Sequence, residues 1–185
     1  MHPARALLVF PFVSAFLLGC ASTKTPIHTV GHVDLPRYMG DWYIISEIPN
    51  LAEKSCFDSV ESYALRPDGG IDNWFSCRKK SFEAPMKRVT SAKAKVADPN
   101  TNATWHLRFY KILSIDYVVL DLDPNYQWVV VGHPSHRYAW IMARANSLPD
   151  SLYDSILSRT QAQGYDPQLF VKVPQSALGA ANAIH

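Results

Sequence analysis

Turn residues recur along this chain at near-regular intervals, and no other feature limits its fold so tightly. Pro49-Asn50, Arg66-Pro67-Asp68-Gly69-Gly70, Pro85, Asp98-Pro99-Asn100, Asp123-Pro124-Asn125 and Gly132-His133-Pro134 each interrupt a stretch of strand-like composition. The stretches run approximately 41–48, 57–65, 71–78, 87–97, 103–112, 116–122, 126–131 and 137–144. Some alternate cleanly: Trp105, Leu107 and Phe109 share one face, while His106, Arg108 and Tyr110 share the other. Eight consecutive strands with short connections describe an antiparallel meander. Closing it into an up-and-down barrel removes the exposed edges and leaves an interior able to hold one small ligand.

Composition agrees with an all-β reading. Nine Tyr, eight Phe and five Trp suit pleated, half-buried surfaces better than helices. A net charge of +2, with charged residues at 18%, is too small for the whole-molecule field of a dedicated nucleic-acid binder. The same counts exclude disorder, collagen and coiled coil. After the eighth strand the period changes. Leu152, Ile156 and Leu157 recur at helical spacing from about Asp150, and Gly164 supplies the stop. One amphipathic helix is expected there, to about Gln163, followed by a short ninth strand over 169–173 and a loose tail over 175–185.

The N-terminus has the character of an address. Residues 1–19 hold one Arg, Arg5, ahead of an apolar stretch from Ala6 to Leu18 that is too short for a stable span. The segment closes with Leu17-Leu18-Gly19-Cys20, which resembles the lipobox of bacterial lipoprotein precursors. That resemblance implies acylation of Cys20 and a lipidated tether over 20–31. Ala21, standing where an Asp would redirect sorting, implies delivery to the outer membrane of a Gram-negative cell, facing the periplasm. Setting Cys20 aside leaves Cys56 and Cys77, an even pair on strands that flank one hairpin. An oxidising periplasm favours a bridge between them, which closes a loop of about twenty residues for roughly 3 kcal/mol. Buried free thiols or a redox pair are the alternatives, and no Cys-x-x-Cys spacing favours the latter.

Against this background two motifs carry a family likeness. Tyr38-Met39-Gly40-Asp41-Trp42-Tyr43 resembles the Gly-x-Trp signature of lipocalins at the entrance to the first strand. Trp140-Ile141-Met142-Ala143-Arg144 resembles their eighth-strand signature. The likeness is to bacterial outer-membrane lipocalins and their relative apolipoprotein D, over about 34–174, within a barrel domain expected over 32–174. It departs at Asp121-Leu122-Asp123-Pro124-Asn125-Tyr126, where the family's Thr-Asp-Tyr is lost and the final Tyr kept. Independently of the likeness, Gly40 suits a tight corner, Trp42 can plug a barrel end, and Arg144 can lie on its indole.

The cavity wall is the candidate site. Trp105, Leu107 and Phe109 are expected to face inward, and Trp140 and Met142 join them by sharing parity with Arg144. The family likeness adds Tyr63 and Phe75. Glu61 shares strand parity with Tyr63, so it either meets the ligand near the mouth or contradicts that facing. Such a wall suits an acyl chain with a polar head, and a fatty acid or lysophospholipid is the expected partner. No cofactor, metal or nucleic acid is expected, and a homodimer is left open. His133-Pro134-Ser135-His136 reads as a solvated turn. The basic stretch from Arg78 to Lys95 reads as a solvated outer face, with anionic lipid head groups as the sharper alternative. Asp116, Asp121 and Asp123 mix facings and make no carboxylate pair. A lipid-modifying calyx enzyme and a structural envelope lipoprotein with a filled barrel are the rival readings.

Overall fold

The computed structural model describes residues 25–176, except residue 111. Nine strands make one sheet: β1 (Gly40–Glu47), β2 (Cys56–Leu65), β3 (Ile71–Lys79), β4 (Met86–Val96), β5 (Thr104–Phe109), β6 (Leu113–Leu122), β7 (Trp128–Gly132), β8 (Ala139–Ala143) and β9 (Val171–Lys172). Neighbours in sequence pair in space from β2 to β8. β1 pairs antiparallel with both β8 and β2, so eight strands close into a barrel without an edge. β2 covers Gly40 to Tyr43 of β1, and β9 adds to its far end at Ser46 and Glu47.

Two apolar layers follow from the alternation. One fills the barrel, with Trp42, Ile44, Tyr63, Phe75, Trp105 and Met142 among its buried members. The other lies outside β1, β6, β7 and β8 and is covered by α2 (Asp150–Ala162), whose Tyr153 and Ile156 pack among Ile45, Val130 and Ile141. These helical positions three apart are the stripe that burial selects. Gly164 ends the stretch in the left-handed region, at φ +89°, a conformation a side chain would strain.

Alternating connections define two ends. Loops 66–70, 97–103 and 123–127 lie at one end, closed by a short helix α1 (Leu35–Tyr38) that the sequence pattern did not reveal. Asp34 caps it, accepting from the Arg37 N–H at 3.2 Å, and a proline sits in its first turn. Loops 49–55, 80–85 and 133–138, with residues 110 and 112, ring the other, open end. Cys56 and Cys77 are joined by a disulfide with Cα atoms 5.6 Å apart, at the β2 and β3 ends nearest the open rim.

Several expected boundaries move. Tyr110 takes a positive φ of 48°, which ends β5 before the expected residue 112. His136, at φ 61°, keeps 133–138 in a turn, so β8 starts at Ala139 rather than at residue 137. The tether expected over 20–31 is held to the barrel in its last part: Ile27 packs on the outer layer and the Val30 N–H donates to Val119 O at 3.0 Å. Gln175 and Ser176, expected in the loose tail, are also bound. Gln175 donates to Ile44 O and Ser59 O, and Ser176 donates from N and Oγ to the buried Asp58 carboxylate. The leader over 1–19, Cys20 and the residues after 176 lie outside the described residues.

Candidate functional site

The closed end is a fully bonded floor. Gly40 enters β1 at φ +92°, and a Cβ there would come within 3.4 Å of Arg144 Nη1. Trp42, wholly buried, donates from Nε1 to Tyr38 O at 2.8 Å. The Arg144 guanidinium lies 3.7 Å from the centre of its indole. The same guanidinium donates to the carbonyls of Arg37, Tyr38, Met39 and Asp41 at 2.7–3.0 Å. It thereby satisfies the orphan carbonyls at the end of α1 and adds charge where the helix dipole is negative.

Above this plug sits a ring cluster that fills the lower half of the interior. Trp105 stacks on Tyr117 at 4.9 Å and meets Tyr38 edge-on at 5.1 Å, with Tyr63 at 5.8 Å. The three tyrosine hydroxyls form a chain. Tyr117 Oη is 2.6 Å from Tyr38 Oη and 2.9 Å from Tyr63 Oη, and burial raises the pKa of all three. Trp105 also donates to Asn102 O at 2.7 Å. Of the residues expected to line a wall, Tyr63 and Trp105 thus belong to the floor. Phe75, Leu107 and Met142 are buried in the inner layer higher up. Phe109 and Trp140 are partly buried against that layer, towards the open end.

Carboxyls gather at the mouth. Trp140 donates from Nε1 to Glu53 Oε2 at 2.9 Å, and Glu47 pairs with Trp140 across the β1–β8 register. Burial first, then the bond and charge of Glu53, hold the Glu47 carboxyl far above its ordinary pKa. Glu61 lies deeper, beside the plug: it stands between Trp42 and Phe75 in the cross-strand rows and accepts from Asn73 Nδ2. Burial, followed by the charge of Glu53, pushes it up to about 8. Glu47 Oε2 is buried and finds no hydrogen-bond partner. Glu47 and Glu53 line a cavity of about 800 Å³ that also touches Leu51, Phe57, Tyr138 and Val173.

Sequence reasoning missed Glu47 and Glu53. A bulge between Ile44 and Ser46 reverses the alternation of β1, sending Ser46 outward to Tyr153 Oη and Glu47 inward. Glu53 comes from a loop, where parity says nothing. Glu61, flagged by parity, does face inward with Tyr63.

The remaining candidates resolve into structure. His133 bonds Ser135, His136 lies 2.9 Å from Gln163 O, and among the described residues no cluster suits a metal ion. Asp116 meets His106, Asp121 meets Arg159, and Asp123 caps its own turn. Arg78 departs from the expected solvated face: its Nε is 3.0 Å from the buried Asp58 carboxylate, and its Nη1 donates to Ala84 O.

The architecture is a closed eight-stranded barrel with a Trp–Arg plug at one end, a packed apolar interior and a polar, partly aromatic mouth with open space at the other. The sequence matches the lipocalin-like domain family over residues 33–175, and the chain belongs to that family. It is 31% identical to temperature-induced lipocalin-1 of Arabidopsis thaliana, covering 83% of this chain and 85% of that protein. It is 28% identical to the outer membrane lipoprotein Blc of Escherichia coli K12, covering 91% and 96%. Among solved structures, insecticyanin of Manduca sexta superposes with a TM-score of 0.63 over 85% of this chain and 87% of that one, at 15% identity. The cockroach allergen Per a 4 superposes at 0.59 over 83% and 96%, at 20% identity. Those two likenesses show the fold. Lipocalins are generally binding and transport proteins, and family membership carries the coarse function, binding of a small hydrophobic ligand.

Proposed function

We propose that this protein is a lipid-anchored lipocalin of a Gram-negative outer membrane, holding an acyl-chain amphiphile of the fatty-acid or lysophospholipid class. The observation that carries this is the contrast inside the cup. Packed apolar side chains of the inner layer lie above an aromatic floor, and at the mouth Glu47 and Glu53, the latter held by the Trp140 N–H, border about 800 Å³ of space between loop 49–55, Phe57 and residues 171–174. In this reading the chain enters by parting the packed side chains of Phe75, Leu107, Phe109 and Met142 and sheds water there at about 25 cal/mol per Å2, while the polar mouth takes the head. Phe75, Leu107, Phe109, Trp140 and Met142 are the ligand-binding residues in this reading, and Tyr63 and Trp105 are the floor on which the chain end rests.

The anchor rests on the Leu17-Leu18-Gly19-Cys20 motif and on similarity to proteins named outer membrane lipoproteins. Acyl chains at Cys20, each buried methylene worth about 0.8 kcal/mol, would hold the protein at a bilayer surface. Native mass spectrometry of protein purified from its own envelope tests ligand and anchor together. The expected result is a mass increment from lipid on Cys20 and a second, non-covalent adduct of one amphiphile. An unoccupied protein whose Trp fluorescence no fatty acid or lysolipid alters would overturn the binding role.

A further inference from the structure

We propose that Glu47 and Glu53 form a site for a cationic head group, so that the amphiphile this cup prefers carries an ammonium group rather than a free carboxylate. The proposal rests on the cup holding an amphiphile at all, and it names the chemistry of the head. Glu47 contributes an unusual feature: only 8% of its surface is exposed, yet Oε2 has no hydrogen-bond partner. A buried carboxyl oxygen left without a donor costs about 1–3 kcal/mol, so such a group marks a place where a ligand can supply what the protein does not.

The surroundings select the charge of that ligand. Glu53 stands beside Glu47 and is held in place by Trp140 Nε1 at 2.9 Å, and Glu61 adds a third carboxyl on the same inner wall. A ligand carboxylate brought here would add one more carboxyl to a poorly hydrated cluster, whereas a cation would favour the charged form of Glu47 that burial now disfavours. Tyr138 lines the same cavity as Glu47 and Glu53, with its ring stacked at 6.4 Å on that of Trp140. Carboxylate oxygens beside aromatic faces are the pairing that recognises ammonium groups. Leu51, Phe57 and Val173 supply apolar lining next to it. Lys54, Lys80 and Lys172 also touch the cavity, but all are exposed, and Lys172 is paired with Asp150 at 3.1 Å. Water screens them from the buried carboxyls.

Three probes of equal chain length separate this from its rivals: dodecyltrimethylammonium, dodecanol and dodecanoate. Each is titrated below its micelle concentration into the full chain at pH 7.5 and followed by Trp fluorescence and calorimetry. The ammonium probe should bind at least tenfold more tightly than dodecanoate, with dodecanol between them. Glu53→Gln and Glu47→Gln should each lower the ratio of ammonium to dodecanoate affinity at least fivefold, with an unchanged far-ultraviolet spectrum and thermal transition showing that both variants fold. Equal or tighter binding of dodecanoate overturns the proposal, as does a preference that survives both substitutions. If none of the three binds, the cup reading itself fails and takes this one with it.

Discussion

The two ends of this barrel are built from the same residue types but settle their polar atoms differently. At the closed end the Trp42 and Trp105 N–H groups, the Tyr38–Tyr117–Tyr63 hydroxyls and the Arg144 guanidinium have partners at 2.6–3.0 Å. At the open end carboxyls crowd one another and Glu47 Oε2 is unpaired. A satisfied polar network rigidifies, and an unsatisfied one stores a cost that a ligand can remove. The polar atoms are therefore settled at one end of the barrel, and the proposed recognition lies at the other.

The sharpest way to break that division is to damage the floor. Trp42→Ala deletes a wholly buried indole and the surface on which Arg144 lies, and should cost about 4 kcal/mol, or about 10 °C in Tm. Thermal unfolding measures it. A loss below about 1 kcal/mol would mean the plug contributes little. Next in size is the staple near the rim. Replacing Cys56 and Cys77 together by Ser frees a loop spanning 21 residues and should lower stability by about 3 kcal/mol. Hydrogen exchange in that variant should rise first in β2 and β3 near the rim while Tyr38 to Trp42 stay protected. Uniform loosening would argue against two separable ends.

The ends also differ in how readable they were. Gly40, Trp42 and Arg144 stand in regular positions of β1 and just beyond β8, so motif and parity located them. The eight strands were legible because Pro, Asn, Asp and Gly mark nearly every turn. Parity pointed Trp105 inward and the family likeness added Tyr63, but neither could say that aromatic neighbours from α1 and β6 would bury them in a floor. Those contacts join Tyr38 to Tyr117, 79 positions apart. At the open end parity failed on β1, because one bulge turns Glu47 inward and Ser46 outward. It was silent on Glu53, whose place is set by loop 49–55.

Titration marks the inner carboxyls at both depths, Glu61 beside the plug and Glu47 at the mouth. Glu61 is raised from 4.5 to about 8 and Glu47 is raised as well, so the folded protein binds protons that the unfolded chain has released. Their contribution to stability is fully present below about pH 4.5, where both states are protonated. It is lost as pH rises through the window up to about 8 for Glu61 and beyond for Glu47. Each group can contribute a slope of up to about 1.4 kcal/mol per pH unit there. Urea midpoints from pH 5 to 8 should decline, and Glu61→Gln should flatten the decline. A rising stability over that range would show that both carboxyls are ionised in the folded protein.

The smallest expected effect is the most informative about function. Trp140 borders the mouth, with its ring partly buried and stacked on Tyr138 and its N–H holding Glu53. Trp140→Ala removes apolar contact with an acyl chain and frees Glu53 at once, for a loss of about 1–2 kcal/mol, roughly five- to thirtyfold in affinity. Because the residue is only partly buried, Tm should fall by no more than a few degrees and the far-ultraviolet β signature should persist. Trp140→Phe restores the apolar ring but not the N–H, so it divides the two contributions. If Phe recovers affinity for dodecanol but not for the ammonium probe, the ring grips the chain while the N–H aims the carboxyl. Unchanged affinity in Trp140→Ala would place the ligand away from this wall and leave the open end without its recognition role.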